Sequence, residues 1–386
     1  MNAFITAVSA FLPGQPVNND DLERYLGKVA RIAARTRQII LAGNGIETRH
    51  YAIDPETGAT THSNAMLAAE AVRRLAPAGR NLSDGPSIEC LCCGTSSPDQ
   101  LMPGHASMVH GELGCGHCEV ISTAGICLSG ITALKYGAMS VAQGLSTRAV
   151  AAGSELASTF MRTSFFQAMQ GTVDQPEKKK DHPAFSFEAE FLRWMLSDGA
   201  GAVLIENKPT TDRLSLRIDW IEIISHAHCL ETCMYAGAVK QEDGSLRGWR
   251  EYVGEDEAVR NGILTVKQDA RLLNREVIRT LVGESLPDVA KKHGLNPEGI
   301  AWFLPHYSSQ YFREPLLQQL RDINFIIPEE RWFTNLASRG NTGSASFYIM
   351  LEELFSSGRL KKGERILGFI PESGRFSVGW VLLTVV

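Results

Sequence analysis

At 386 residues, 44% of them hydrophobic and 21% charged, the chain carries enough apolar material for a large core. That length suggests two or three domains, although large α/β folds run this long as one unit. A formal net charge of −5 excludes general nucleic-acid binding, which needs a basic field, and leaves any acidic partner to dock on a local basic patch.

The opening MNAFITAVSAFLPG lacks the basic head and apolar run of a secretory signal, and no stretch approaches the roughly 18 apolar residues of a membrane helix. The expectation is a cytoplasmic protein without a membrane partner, its eight cysteines kept as thiols. Along the chain, short apolar runs alternate with helical patterns. The periodicity predicts a helix over 64–75, a strand over 87–93, a helix over 103–113, a strand over 118–122 and a helix over 129–144. Strands follow at 149–154, 201–206 and 216–225, then a helix over 271–281, a strand over 302–305, helices over 310–320 and 344–355, and strands over 365–371 and 378–385. This alternation implies βαβ units and a largely parallel sheet with helices outside. Both halves end in a Gly-rich segment leading into an apolar strand, which suggests an internal duplication with its seam near 207–213. Residues 174–182 read as an exposed loop.

Cys90, Cys92, Cys93, Cys115 and Cys118 invite a metal reading, because Cys115-Gly-His-Cys118 is a C-x-x-C. A zinc site wants two ligand pairs at turn-like spacing, whereas Cys90, Cys92 and Cys93 sit in a strand-like run. Small buried thiols are the better account. No Gly-x-Gly-x-x-Gly follows a first strand, so no flavin, nicotinamide or metal cofactor is expected.

Three segments could carry chemistry. In Ile121-Ser-Thr-Ala-Gly-Ile-Cys127-Leu-Ser-Gly130 a strand runs through small residues into a cysteine and then a helix. The helix dipole and free backbone N–H groups there favour a thiolate and can hold an oxyanion, although a packed structural cysteine fits the motif alone equally well. In Trp302-Phe-Leu-Pro305-His306 the histidine stands at a strand's C-terminal end, where ligand sites collect; a hydrogen-bonded core histidine is the plainer alternative. In Gly340-Asn341-Thr-Gly-Ser-Ala-Ser346, Asn341 is either a helix cap or an amide donor aimed into a pocket.

Taken together, cysteine, histidine and asparagine in this order resemble the ketosynthase III (3-oxoacyl-carrier-protein synthase III) branch of the thiolase fold. Further motifs match along the chain: Thr95-Ser-Ser-Pro-Asp-Gln-Leu-Met-Pro103 resembles the family's dimer-interface segment, Ser197-Asp-Gly-Ala-Gly-Ala-Val203 its Gly-rich strand entry, and Asn44-Gly-Ile-Glu-Thr-Arg49 its Gly-Ile-x-x-Arg signature. The resemblance implies a thiolase-like α/β fold of two pseudo-duplicated βαβ halves, 1–208 and 209–386, in α-β-α-β-α layers. It implies a homodimer that condenses thioesters of acyl carrier protein or coenzyme A through acyl-Cys127. The N–H groups of Cys127 and Gly374 would form the oxyanion hole, and His306 and Asn341 would hold the second thioester. Met102 and Phe376 are expected to line the substrate pocket, with Met102 reaching the partner's. Glu155 is a candidate additional base, or an anchor for loop N–H groups. Arg313 and Lys178, Lys179 and Lys180 are candidates for docking a carrier protein.

Departures from the family pattern are the Thr-Ala-Gly-Ile entry to Cys127, Tyr307-Ser-Ser309 after His306, and Ser373-Gly374-Arg375 in place of three glycines. They resemble the ketosynthase/cyclases that build cyclohexanedione precursors of dialkylresorcinols. The alternatives are a chain-initiating ketosynthase, an acyltransferase making an ester or amide, and a silent partner subunit. An intact Cys127, His306 and Asn341 weighs against the last.

Overall fold

The computed structural model describes residues 2–28, 34–76, 87–163, 187–252, 258 and 261–386. The loop at 174–182, with its three lysines, lies outside the described residues. Among the described residues, nine strands form one sheet: β1 (Phe4–Phe11), β2 (Cys90–Thr95), β3 (Glu119–Ala124), β4 (Arg148–Glu155), β5 (Gly199–Glu206), β6 (Leu216–Ser225), β7 (Trp302–Pro305), β8 (Arg365–Glu372) and β9 (Ser377–Val385). Their spatial order is β7-β8-β9-β6-β1-β5-β4-β2-β3.

The sheet is mixed, which corrects the expectation of a largely parallel one. Pairs β2–β3, β2–β4 and β7–β8 are parallel. Pairs β1–β5, β1–β6, β4–β5, β6–β9 and β8–β9 are antiparallel. The reason is connection length. Between β8 and β9 lie only residues 373–376, enough for a hairpin but far too few for the crossover that a parallel pair needs. Strand β1 was not foreseen. Its run of Ala and Ser between larger residues carries little periodic signal, yet it pairs with β5 along its length and touches β6 at Phe4 and Ile5, joining the two halves.

Outward from the middle, β1-β5-β4-β2 and β6-β9-β8-β7 follow the same plan, with the last strand of each half set beside its first. Beyond β2 lies β3; beyond β7, among the described residues, the corresponding place holds only a bridge between Phe303 and Trp332.

Helices α1 (Asn64–Arg73) and α2 (His105–Leu113) pack on one face of the first half, where Leu67, Val72 and Val109 meet Leu91, Val150 and Ala152. Helices α3 (Ser129–Gln143) and α4 (Ser346–Ser356) are apolar almost all round, as helices walled in on every side must be. Their Leu134, Val141, Phe347 and Leu351 share one core with Ile5, Ala149 and Val203 of the first half and Leu304, Ile366 and Val381 of the second. A third core packs Leu272, Leu281, Leu286 and Leu316 against Phe303, Phe369 and Trp380. The result is the α-β-α-β-α layering that the resemblance implied. Among the described residues no helix is long and apolar enough to cross a membrane.

Two glycines set how closely the central layer closes. A Cβ on Gly130 or Gly153 would stand 2.2 or 2.3 Å from the Ser344 carbonyl oxygen, inside any tolerable contact. The lack of a side chain at both positions lets the Asn341–Ser344 segment lie against the start of α3. Tyr348 Oη then donates to the Gly130 carbonyl at 2.7 Å.

Candidate active site

Cys127 stands in the turn between β3 and α3, two residues before the helix begins. It opens into a cavity of about 390 Å³ that His306, at the end of β7, and Asn341, ahead of α4, also line. Three segments far apart in sequence therefore converge, each at the end of a strand or the start of a helix. Ala157, Phe160, Leu192 and Met195 from the first half, with Met234, Leu273, Val277 and Ile278 from the second, make the wall largely apolar.

Each polar group has a distinct setting. Burial lowers the pKa of His306 to about 4, so its imidazole is neutral at neutral pH. Its backbone N–H is fixed to the Phe369 carbonyl at 2.8 Å, while neither ring nitrogen has a hydrogen-bond partner among the described residues. The Asn341 backbone is pinned on both sides, its N–H to Met195 O and its carbonyl to Ser197 N–H, each at 2.9 Å. Its Oδ1 accepts from Gly343 N–H at 2.9 Å, which leaves the Nδ2 donor facing the cavity. Asn341 thus stabilises its own turn and still presents an amide N–H; the two readings of this residue are compatible. Arg49 braces the same loop from below, its buried guanidinium bound to the Trp194 carbonyl and to Asn19 Oδ1.

The Cys127 thiol departs from the sequence expectation of a favoured thiolate. Burial pushes its pKa up, the nearby Glu155 and Glu372 carboxylates push the same way, and its own backbone N–H offsets them only in part. The helix start is present, but two nearby carboxylates, one buried and one half-buried, oppose it.

Glu155 Oε1 accepts from the N–H groups of Ser96 and Ser344, at 3.0 and 3.1 Å, and its Oε2 from Ser96 Oγ at 2.6 Å. Both oxygens are engaged, the arrangement of an anchor that ties the first half to the Asn341 loop. Glu372, at the end of β8, was not singled out from the sequence. An acid closing the apolar run Phe369-Ile370-Pro371 was the available signal. Its Oε2 accepts from Ile126 N–H at 3.0 Å and Leu128 N–H at 3.3 Å, the residues on either side of Cys127.

Gly374 lines the cavity, and its carbonyl accepts from the N–H groups of Cys233 and Met234. Phe376, expected along the pocket, has its side chain fully buried in the core beside Val378 and Trp380 and does not line the cavity. Its φ of 57° closes the hairpin, and a left-handed residue there turns the ring inward. Met102 is 83% exposed and Leu101 73%, away from this chain's own cavity. Arg313 is paired with Glu329 at 2.7 Å and stacked over Trp332, so its charge is already locally balanced.

Known proteins resemble the chain along its length. Residues 290–375, which contain His306, Asn341 and Gly374, match the family 3-oxoacyl-[acyl-carrier-protein (ACP)] synthase III C terminal. The β-ketoacyl-[acyl-carrier-protein] synthase III of Methylococcus capsulatus is 24% identical over 382 residues, covering 98% of each chain. That of Rhodobacter capsulatus is 26% identical over 372 residues, 95% of this chain and 94% of its own. Among solved structures, AbyA1, a tetronic acid condensing enzyme, superposes with a TM-score of 0.73 at 20% identity over 99% of both chains. Xanthomonas campestris OleA, solved with lauric acid and lauroyl-CoA, gives 0.72 at 20% identity over 100% of this chain and 99% of its own. The fold, the cavity and these full-length likenesses agree: the chain is similar along its length to 3-oxoacyl-(acyl-carrier-protein) synthase III, an acyl-condensing transferase, and shares the thiolase fold.

Proposed function

We propose that Cys127 carries an acyl group while a second thioester is activated between His306 and Asn341, and that two carbon–carbon bonds form before a 1,3-cyclohexanedione is released. The observation that carries this reading is a largely apolar cavity onto which the thiol, a neutral imidazole and a free amide N–H all open. Its volume of about 390 Å³ lies within the range of small-molecule pockets. The two halves, 1–208 and 209–386, divide the work: the first supplies the nucleophile, the second the two groups that hold the enolate oxygen.

In loading, the thiol attacks the donor's carbonyl, the oxyanion rests on the N–H groups of Cys127 and Gly374, and the departing thiolate of the carrier protein or coenzyme A takes the thiol proton. In condensation, neutral His306 and Asn341 Nδ2 donate to the second thioester's oxygen as it becomes an enolate. Ring closure asks the cavity to keep the first product folded, so that its carbanion meets the second electrophile at high effective concentration. Apolar walls serve this and keep out the water that would hydrolyse the thioester. A β-ketoacyl thioester offered with an α,β-unsaturated acyl thioester is expected to give a 1,3-cyclohexanedione by mass spectrometry and NMR. Linear products alone from that pair, with efficient turnover of acyl and malonyl thioesters, would leave a chain-initiating ketosynthase.

The working unit is proposed to be a homodimer in which Met102 closes the partner's pocket. Leu101 and Met102 form an exposed apolar pair, and β3 leaves one sheet edge open with half of its residues exposed. Light scattering at micromolar concentration should give twice the chain mass, and Met102→Trp should shift the preferred acyl length. A monomer, or an unchanged preference, would refute the respective claim.

A further inference from the structure

We infer that Glu372 is the base that removes the carbon-bound proton from the second substrate; this rests on the reading above and names the group that activates the nucleophile carbon. Decarboxylation of a malonyl thioester makes its enolate without a base. A β-ketoacyl thioester must instead lose a proton, and a group must be there to take it.

Geometry selects Glu372 over the other acid at the cavity. Glu155 has both oxygens bound to Ser96 and Ser344. Glu372 is held by one oxygen only. Its Oε2 is fixed by the N–H groups of Ile126 and Leu128, which bracket Cys127, and its Oε1 has no hydrogen-bond partner among the described residues. That free oxygen lies beside Gly374, 3.5 Å from where a Cβ on it would stand, and the side chain lines the cavity. A carbon about to attack acyl-Cys127 must approach this same turn. The carboxylate is thus held rigidly at one end and free at the other. Burial raises its pKa, which strengthens it as a base relative to an exposed glutamate.

The charges and protons close on themselves. Glu372 carboxylate takes the C2 proton of the β-ketoacyl thioester, and the electron pair moves to the enolate oxygen between His306 and Asn341. C2 then bonds to the β-carbon of the unsaturated acyl-Cys127, and the resulting enolate recovers the proton at its α-carbon. In the second round Glu372 takes a C4 proton, and C4 bonds to the acyl carbonyl carbon. The C–S bond to Cys127 breaks, its thiolate takes the proton back from Glu372, and the ring leaves with C1 still bound as the thioester of its carrier; hydrolysis of that thioester by water and loss of CO2 then free the 1,3-cyclohexanedione. At each carbon–carbon bond the acid is neutral, so it does not repel the oxyanion forming beside it.

The test compares wild type with Glu372→Gln, which keeps the size and an oxygen for the two N–H groups. Each is incubated in D2O with a 3-oxoacyl-pantetheine and no acyl donor, and deuterium at C4 is followed by NMR. Acyl loading of Cys127 and malonyl condensation are measured in parallel. Exchange catalysed by wild type should fall at least about 100-fold in the variant, a loss larger than any change in loading or malonyl condensation. Exchange at the wild-type rate in the variant would overturn the inference, leaving Glu372 as a brace for the turn. Wild type without exchange above the uncatalysed rate would overturn it too. If the variant fails to load, the exchange assay still decides, because it needs no acyl-enzyme: loss with an unchanged near-ultraviolet circular dichroism spectrum supports the base. Glu372-dependent exchange without ring product would sink the cyclohexanedione reading and spare the base.

Discussion

Cys127→Ala is expected to abolish condensation, lowering turnover on the order of 10⁴–10⁶-fold, the range seen when a covalent nucleophile is removed. In the wild type, incubation with a preferred acyl thioester should add one acyl mass, and peptide mapping should place it on Cys127. An adduct on Cys118 or the exposed Cys229 would refute the assignment. The resting thiol has a second signature. Because burial, Glu155 and Glu372 all raise its pKa, the thiolate is scarce at neutral pH and alkylation by iodoacetamide should be slow, accelerating steadily into the alkaline range. Glu372→Gln removes one of the two negative charges, so the thiol pKa falls and alkylation at pH 7 should quicken. A fast, pH-independent reaction of the wild type above pH 7 would mean that the helix start outweighs the two acids.

Asn341→Ala should separate the two stages of catalysis. The variant is expected to load acyl-Cys127 at near wild-type rate yet to lose about 10²–10³-fold in condensation, the usual cost of one donor to a developing oxyanion. The structure makes this selective, because the Asn341 backbone is held independently of its side chain by Met195 and Ser197. Loss of the Oδ1 bond to Gly343 N–H removes a turn contact as well, so thermal stability should drop modestly. Asn341→Asp keeps the oxygen that receives the Gly343 N–H but not the amide donor. It should therefore recover the stability and not the rate. Near wild-type condensation by Asn341→Ala would reduce the residue to a turn former. His306→Ala should show the same split between loading and condensation, since its neutral imidazole is the other donor.

Much of the frame was legible in the chain because it depends on local pattern. Strands β6 and β7 fall at the predicted residues, β4, β5, β8 and β9 within two of them, and α3 begins at the predicted Ser129. The motifs around Cys127, His306 and Asn341 carried the family resemblance, since a nucleophile turn, a strand-end histidine and a small-residue loop each leave a readable local signature. What escaped was non-local. Strand β1 has too weak a period to announce itself, and its place between β5 and β6 exists only through pairing. The mixed sheet follows from which strands close as hairpins, not from how many there are. Phe376 reads as a pocket residue in sequence but turns into the core because of its left-handed backbone.

The sequence by itself determined the residues that could do chemistry and the elements that would carry them. The tertiary structure alone decided their electrostatic surroundings. Glu372 lies 245 residues from Cys127, yet the β8–β9 hairpin sets its carboxylate on the two N–H groups flanking the thiol. No periodicity encodes that approach. The charge state of the Cys127 thiol depends on which groups folding brings within a few ångströms of it, and one of them, Glu372, comes from the opposite half of the molecule.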